Sequence, residues 1–329
     1  MERRLRGRAA LWAAIAAAVL ALALLVWNVV AAGGGEQGIF GVASRSSATP
    51  DPDRAGGIER FVPGEGHRGL PGDAPEATGG TGGETDPDRP SGRTALLDNP
   101  LYDTGRLAPL PCPEPGLDVD DPESVEAFLN ALTDCLDHTW QTQFDKAGIP
   151  FQPPERVFWE TPGSSPCRDY PSTAGAFYCR AGKSVYIGTA DVVEKWNGAD
   201  NGIVYASLLA HEYAHHVQGE SGLLDYYHEQ RRLEPEVVDQ NAWTRKSELQ
   251  ANCLAGAFLG AVRVSYPVSA TDRDAVLDDA AATADRPDST DEERTHGSAA
   301  NSVRWMEHGM DEQSPGACNT WEAASETVQ

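Results

Sequence analysis

The sequence predicts an α+β fold that is mostly helical with a small sheet, preceded by a transmembrane helix and a disordered linker. Three observations lead to this prediction. Several long segments in the C-terminal part place apolar residues at helical spacing, whereas the candidate strands are short. An uncharged apolar run lies near the N-terminus. Between these two parts, the chain is rich in Gly, Pro and Asp and poor in large apolar residues.

The N-terminal apolar run predicts a membrane anchor. Residues 9–32 carry no charge, and about 20 apolar residues are enough to span a bilayer. Residues 1–8 are rich in arginine, so they should form a basic cytoplasmic tail. We therefore expect a single-pass protein of the cell membrane whose remaining chain is extracytoplasmic. A cleaved signal peptide is the alternative, because Val30-Ala31-Ala32 has the small residues of a cleavage site.

Residues 33–107 predict a disordered linker, because a segment with so few large apolar residues cannot bury enough surface to offset chain entropy. The folded domain is then predicted to span residues 108–329. The formal net charge of −24 at pH 7 argues against a nucleic-acid partner, since such proteins need basic surfaces. It also argues against docking of the domain on anionic lipid, so we expect membrane contact through the N-terminal helix.

The domain is predicted to open with a long helix. Asp121-Pro122 is a good helix start, because an acceptor side chain precedes a proline at the first helical position. Two short strands are predicted after this helix, at residues 156–159 and 183–188. The apolar residues of the helix follow helical spacing on one face: Val125, Phe128, Leu129, Leu132, Leu136 and Trp140.

A later predicted helix carries a His-Glu-x-x-His motif among the apolar residues of a helix packed into a core. His211 and His215 are four residues apart, so their imidazoles project from one face and can bind one zinc ion. Glu212 would face the open side of the metal, where it can act as general base toward a zinc-activated water. Since the motif also occurs by chance, a surface helix that carries histidines is the alternative.

Zinc in a hydrolytic site has three protein ligands and leaves a fourth position open. Glu248 and Asn252 are four residues apart on another predicted helix, so Glu248 can complete the ligand set. Asn252 can accept a hydrogen bond from the outer nitrogen of a ligand histidine. Small residues on this helix, Ala251, Ala255 and Gly256, would allow close helix packing. An amphipathic helix with a solvated glutamate is the alternative.

From about Leu110 onward, the chain resembles the bacterial putative neutral zinc metallopeptidase family, whose members are secreted or membrane-anchored. The chain departs from the family at Asn252, where an aspartate is usual. The matching pieces occur in the same order over most of the predicted domain. They are Ala176-Phe177-Tyr178-Cys179, Val185-Tyr186-Ile187, residues 211–218, residues 248–256, Thr295-His296-Gly297-Ser298, Val303-Arg304-Trp305 and Ala317-Cys318-Asn319-Thr320.

The resemblance implies a zincin-like metallopeptidase domain that uses Zn²⁺ and cleaves peptide or protein substrates as an endopeptidase. It also implies that the strand at residues 183–188, just before the helix with the His-Glu-x-x-His motif, lies along the cleft and pairs with extended substrate backbone. A plain core strand is the alternative. Two other functions stay open. One is a catalytically silent surface binding protein with the same fold, and the other is a zinc hydrolase of a non-peptide amide. Glu212 argues against the silent protein, since a purely structural scaffold does not need a base.

Six cysteines, an even number in a predicted extracytoplasmic domain, indicate disulfides. No Cys-x-x-Cys pair is present, which argues against a thiolate metal site. The local pairs Cys112–Cys135 and Cys167–Cys179 are the easiest to close, which leaves Cys253–Cys318. The alternative is that one or more cysteines stay free.

Three other residues near the motifs have predicted roles. His296, in a Thr-His-Gly loop segment, is the candidate to stabilise the oxyanion of a tetrahedral intermediate, with a structural role in the loop as the alternative. His216 lies about 100° around the helix from His215 and cannot easily share the metal, so we expect a packing role. Tyr213 is expected in the core. No nucleophile-elbow pattern surrounds a serine, which argues against a serine hydrolase.

Overall fold

The computed structural model describes residues 89–171 and 175–329. The predicted cytoplasmic tail, the predicted transmembrane helix and residues 33–88 of the predicted linker lie outside the described residues. Within the described ranges, no helix is long and apolar enough to cross a membrane.

The described chain is mostly helical with a small sheet, as the sequence predicts. Its α-helices are α1 (Gly92–Leu97), α2 (Pro122–Ala147), α3 (Thr189–Lys195), α4 (Ile203–Glu220), α5 (Leu223–Leu233), α6 (Val237–Val262), α7 (Ala270–Ala282) and α8 (Ala299–Glu312). Its strands are β1 (Glu155–Trp159), β2 (Gly163–Ser164), β3 (Asp169–Tyr170), β4 (Ala176–Cys179) and β5 (Ser184–Gly188). Short 3₁₀ helices lie at Pro100–Thr104, Pro315–Cys318 and Ser325–Thr327.

Helix α2 forms where the sequence predicts it. The Asp121 side chain accepts a hydrogen bond from the Glu123 N–H, and Pro122 occupies the first turn. The helix ends at Gly148, which adopts the left-handed conformation with a φ of 69°. All the predicted apolar positions of this helix are buried.

The main sheet has the strand order β1-β5-β4, and β2 pairs with β3 in a separate small hairpin. β5 is parallel to β1 and antiparallel to β4. The prediction that residues 183–188 pair with substrate is therefore wrong, because both edges of β5 are already hydrogen-bonded to neighbouring strands. Among the described residues, β1 and β4 are the two edge strands of this sheet, and β4 is the one that lies against α4.

The folded part begins earlier than the predicted boundary at residue 108. Residues 92–97 and 100–104, which the sequence analysis assigns to the linker, form α1 and a 3₁₀ helix. Leu96 and Leu101 are each 3% exposed, and the Arg106 side chain donates to two carbonyls at the end of α8. The apolar residues of this segment are too few to reveal a helical face in the sequence, but they dock on a surface that the rest of the domain provides.

Helices α6 and α8 pack backbone to backbone because glycines lie at their contact. A Cβ atom on Gly256 of α6 would overlap the carbonyl oxygen of Met306. A Cβ atom on Gly309 of α8 would overlap the carbonyl oxygen of Cys253 in the same way. This close contact fixes the position of α6, the helix that carries Glu248.

The six cysteines form three disulfides in the predicted connectivity, and none is free. Cys112–Cys135 ties the segment before α2 to that helix. Cys167–Cys179 ties the segment before β3 to β4. Cys253–Cys318 joins α6 to the 3₁₀ helix Pro315–Cys318.

Candidate metal centre

Helices α4 and α6 bring the three predicted metal ligands together. One potential ligand atom from each of His211, His215 and Glu248 lies within 4.8 Å of the other two. Glu248 Oε2 is 3.3 Å from His211 Nε2 and 3.4 Å from His215 Nε2. All three side chains are buried. The helical spacing of the two motifs therefore brings the three side chains together at one buried position.

The geometry of this point fits a zinc ion. Zinc bonds to histidine nitrogen and carboxylate oxygen are about 2.0–2.1 Å long, so two ligands of a tetrahedral site lie roughly 3.3–3.4 Å apart. The observed separations of 3.3 and 3.4 Å between the donor atoms match this edge length. His211 Nε2 is also buried and makes no hydrogen bond, which is unfavourable for a ring nitrogen unless something else occupies that direction.

The outer nitrogens of the two histidines have polar partners. His211 Nδ1 is 2.8 Å from Asn252 Oδ1, which is the contact predicted for Asn252. His215 Nδ1 is 2.9 Å from Gln218 Oε1. Contacts of this kind orient each ring with its Nε2 toward the shared point.

Glu212 follows His211 directly and is 1% exposed. The backbone of Tyr178, in β4, donates a hydrogen bond to its carboxylate. Burial raises the pKa of the Glu212 carboxyl, and the nearby charges of His211 and His215 and the Tyr178 N–H oppose this rise. The edge strand of the sheet therefore holds the predicted general base beside the metal ligands.

The family model described as "Putative neutral zinc metallopeptidase" matches residues 117–321, more than half of the chain. The chain belongs to this family. Uncharacterized protein YpfJ of Escherichia coli (strain K12) is 29% identical over 214 residues, which cover 60% of this chain and 72% of YpfJ. Uncharacterized protein Rv2575 of Mycobacterium tuberculosis (strain ATCC 25618 / H37Rv) is 28% identical over 220 residues, 61% of this chain and 72% of that relative. No solved structure is significantly similar to this chain.

Membership of the neutral zinc metallopeptidase family confirms the resemblance that the motifs indicate. The matched range includes all three candidate ligands as well as Glu212, Asn252 and His296. The family description implies zinc, and the buried cluster of His211, His215 and Glu248 at the contact between α4 and α6 could hold a metal ion.

His296 lies outside the cluster of ligand atoms, in the loop between α7 and α8. The Asp285 carboxylate accepts hydrogen bonds from the backbone N–H groups of Thr295, His296 and Gly297. Gly297 lies against the side chain of Leu249, the residue after Glu248. The loop is therefore fixed against α6 near the cluster, and the oxyanion role of His296 stays a prediction.

His216 and Tyr213 are buried on other faces of α4, as the sequence predicts. His216 Nε2 is 2.7 Å from the Gln152 carbonyl oxygen, and its Nδ1 is 3.3 Å from the Tyr178 hydroxyl. Burial lowers the pKa of His216 to about 4. Because the Gln152 carbonyl oxygen can only accept, the neutral ring donates to it from Nε2. The Tyr213 hydroxyl donates to Asp137 at 2.6 Å.

Sequence reasoning missed three residues that hold the site. Tyr178 and Asp285 act through contacts between segments far apart in the chain, and no local pattern reveals them. Gln218 is different, because it lies three residues after His215 on the same helix. That spacing places the two side chains side by side, so helical geometry could have predicted this contact.

Proposed function

We propose that this protein is a zinc-dependent endopeptidase of zincin type, anchored in the cell membrane with its catalytic domain outside the cytoplasm. The observation that carries this proposal is the cluster of two imidazoles and one carboxylate, whose potential ligand atoms lie within 4.8 Å of one another, beside the buried carboxylate of Glu212. A zinc-binding structural site does not need the adjacent carboxylate, whereas hydrolysis needs a base in that place.

His211, His215 and Glu248 would hold the metal. Zinc, when bound, supplies Lewis-acid chemistry, since it polarises a carbonyl oxygen and makes water more acidic. The Glu212 carboxylate would take a proton from the attacking water and pass it to the nitrogen of the leaving amine. The Tyr178 N–H keeps that carboxylate oriented, and the His296 side chain is our candidate to donate to the developing oxyanion.

The outer edge of β4, which does not pair with β5 and lies beside Glu212, is the proposed place for extended substrate backbone. Tyr178 reaches Glu212 with its backbone N–H, so this edge faces the metal cluster, whereas β5 has no free edge. A peptide that adds to an exposed strand edge gains main-chain hydrogen bonds without regard to sequence. This arrangement favours a peptide over a small amide as substrate.

The extracytoplasmic location rests on two observations. Residues 9–32 form an uncharged apolar run after a basic tail, and the domain contains three disulfides and no free cysteine. Structural disulfides persist in oxidising compartments. Protease added to intact cells should degrade the domain, and protection until the membrane is opened would contradict this location.

The experiment that tests the activity is cleavage of a mixed peptide library, followed by mass spectrometry, with wild type and Glu212→Gln. The amide keeps the shape of the side chain but cannot take a proton, so cleavage should fall at least ~100-fold while zinc content stays the same. Wild-type turnover in Glu212→Gln would overturn the assigned mechanism. A wild type that binds zinc but cleaves no peptide would instead support the silent binding protein or the non-peptide hydrolase.

A further inference from the structure

We propose that Gln218 and Gln250 form a buried amide relay that fixes the proton of His215 on Nδ1 and thereby presents Nε2 to the metal. The residues at the far end of this relay, Trp321 and Cys318, belong to the C-terminal segment. The inference rests on the proposed metal site, in which His215 is a ligand. Gln218 and Gln250 are positioning residues in this role, since neither side chain would bind the metal directly.

The Gln218 side chain is 1% exposed, and both ends of its amide have partners. Its Nε2 donates to the Ser247 carbonyl oxygen at 2.9 Å and to Gln250 Oε1 at 3.0 Å. Its Oε1 is 2.9 Å from His215 Nδ1 and accepts from the Ser247 hydroxyl at 3.3 Å. The amide therefore uses both of its donors and both of its acceptor positions.

Gln250, one helical turn further along α6 than Ser247, is also 1% exposed. Its Nε2 donates to the Cys318 carbonyl oxygen and to the Tyr102 hydroxyl, each at 3.0 Å. Its Oε1 accepts from the Trp321 indole N–H at 3.3 Å as well as from Gln218. The second amide is thus as fully hydrogen-bonded as the first.

Groups of fixed polarity set the direction of this relay. An indole N–H can only donate, and a backbone carbonyl can only accept. If Gln250 were flipped, its NH₂ would face the Trp321 N–H and its oxygen would face the Cys318 carbonyl. If Gln218 were flipped, its oxygen would face the Ser247 carbonyl. Each flip would leave buried groups unsatisfied, so both amides have one allowed orientation.

The allowed orientation determines the tautomer of His215. Gln218 Oε1 must face His215 Nδ1, and a carbonyl oxygen can only accept, so Nδ1 must carry a proton. The lone pair of the neutral ring then lies on Nε2, 3.4 Å from Glu248 Oε2. The Cys253–Cys318 disulfide helps to fix the orientation of the Gln250 amide, because it ties the segment with the Cys318 carbonyl to α6.

The test is a two-bond ¹H–¹⁵N NMR spectrum of the metal-free protein, together with zinc titration against a chelator. Burial opposes the rise, but the Glu248 carboxylate raises the pKa of His215 to about 9, so the spectrum is recorded well above that pH, where the ring is neutral. In wild type, His215 should have its proton on Nδ1. Gln218→Leu removes the acceptor, so we expect a mixture of tautomers and zinc affinity lower by ~10–100-fold, the usual range for groups behind a metal ligand. Gln218→Glu gives up the two hydrogen bonds that Gln218 Nε2 donates but retains an acceptor for His215 Nδ1, so it should restore the Nδ1–H tautomer at a cost in stability.

Gln143→Leu is the matched control, since Gln143 is an equally buried helical glutamine that donates to Thr104 and Gly105. It should change neither the tautomer nor the zinc affinity.

If Gln218→Leu does not fold, Trp321→Phe removes the indole N–H with little change of shape and should give the same effect on the tautomer in smaller degree. A wild-type His215 with its proton on Nε2, or an unchanged tautomer in both variants, would overturn the proposal. Because the spectrum needs neither metal nor substrate, a protein that cleaves no peptide would refute the proposed activity and leave the relay standing.

Discussion

At the scale of single residues, the site places two buried glutamates beside the same two histidines and gives them different surroundings. Glu248 Oε2 is 3.3 Å from His211 Nε2 and 3.4 Å from His215 Nε2, which fits the proposed metal ligand. Glu212 accepts a hydrogen bond from the Tyr178 backbone, which fits the proposed general base. The two proposed roles therefore rest on the neighbours of each carboxylate, since the residue type is the same.

Asn252→Asp should tighten zinc binding. Asn252 Oδ1 contacts His211 Nδ1 at 2.8 Å, and a charged acceptor in the same place would make the imidazole a better donor to the metal. We expect a gain of ~10–100-fold in affinity, measured by competition with a chelator. The added negative charge should also move the acidic limb of the pH–activity profile upward. Asn252→Leu, which removes the acceptor, should weaken binding, and equal affinities in all three proteins would show that this contact does not tune the metal.

The ligands could be predicted because their spacing is local. Two residues four apart on a helix share a face in any fold, so His211 with His215 and Glu248 with Asn252 follow from the sequence alone. The meeting of the two pairs depends on how α4 packs against α6, which local spacing does not encode. The same reason explains why the sequence does not predict the roles of Gln250, Asp285 and Tyr178, since each acts across a contact between distant segments.

At the scale of elements, the site depends on where α6 lies, and the contact of α6 with α8 sets that position. The strands illustrate the limit of prediction at this scale. The composition of residues 156–159 and 183–188 predicts two strands, but neither segment alone predicts that the two strands pair in parallel. The sequence therefore predicts the substrate-pairing role for β5, whereas the observed strand order leaves only β1 and β4 as edges, and of these β4 contacts Glu212 through the Tyr178 backbone.

Gly256→Ala should destabilise the domain. An alanine normally raises helix stability by up to ~1 kcal/mol over glycine, but here its Cβ would overlap the Met306 carbonyl oxygen. Overpacking of this kind lowers the free energy of unfolding by about 1–3 kcal/mol, which urea denaturation can measure. Gly219→Ala in α4 is the matched control, because its Cβ would meet side-chain atoms of Tyr178 and Leu224 and no backbone atom. Equal stabilities of the two variants would contradict the backbone contact between α6 and α8.

Asp279 in α7 should make stability depend on pH. Burial raises the pKa of its carboxyl to about 7, although the hydrogen bond from the Trp196 indole N–H opposes the rise. In the unfolded chain the pKa of an aspartate is about 3.9, so the folded state binds more protons between these values. The contribution of Asp279 to stability is therefore present at about pH 4 and is lost as the pH rises toward about 7.

Asp279→Asn keeps an acceptor for Trp196 and removes the titration. Relative to wild type, the variant should gain on the order of 1–3 kcal/mol of unfolding free energy between about pH 4 and pH 8. Asp278→Asn is at the exposed neighbouring position, and its unfolding free energy should change with pH in the same way as that of wild type. Urea denaturation at several pH values measures all three proteins, and parallel curves for Asp279→Asn would refute the shifted pKa.

At the scale of the whole molecule, both ends of the described chain converge on α6. Gln250 donates to Tyr102 from the N-terminal segment and to Cys318 from the C-terminal segment. The composition of the chain predicted a linker up to residue 107, since an isolated segment with so few apolar residues would not fold. Residues 92–104 of this predicted linker form helical turns that pack on the domain, and composition alone cannot predict such packing.

A chain that starts at residue 108 should be less stable than one that starts at residue 89. The shorter chain lacks Leu96, Leu101 and Leu107, each of which is 3% exposed. Since burial of one such side chain contributes about 1.5–3 kcal/mol, we expect a loss of several kcal/mol in the free energy of unfolding. A chain that starts at residue 33 is the control and should match the one from residue 89. Equal stability of all three chains would show that residues 92–107 add little to the fold.

The most direct test of the metal centre is the zinc content of the purified domain after dialysis, measured by mass spectrometry in wild type, Glu248→Ala and Glu212→Gln. If His211, His215 and Glu248 hold the ion, wild type and Glu212→Gln should each retain zinc in equal proportion to protein. Glu248→Ala should lose it, because only two ligands remain in a site that needs three. Full zinc occupancy in Glu248→Ala, or loss of zinc in Glu212→Gln, would contradict the assignment of these two glutamates.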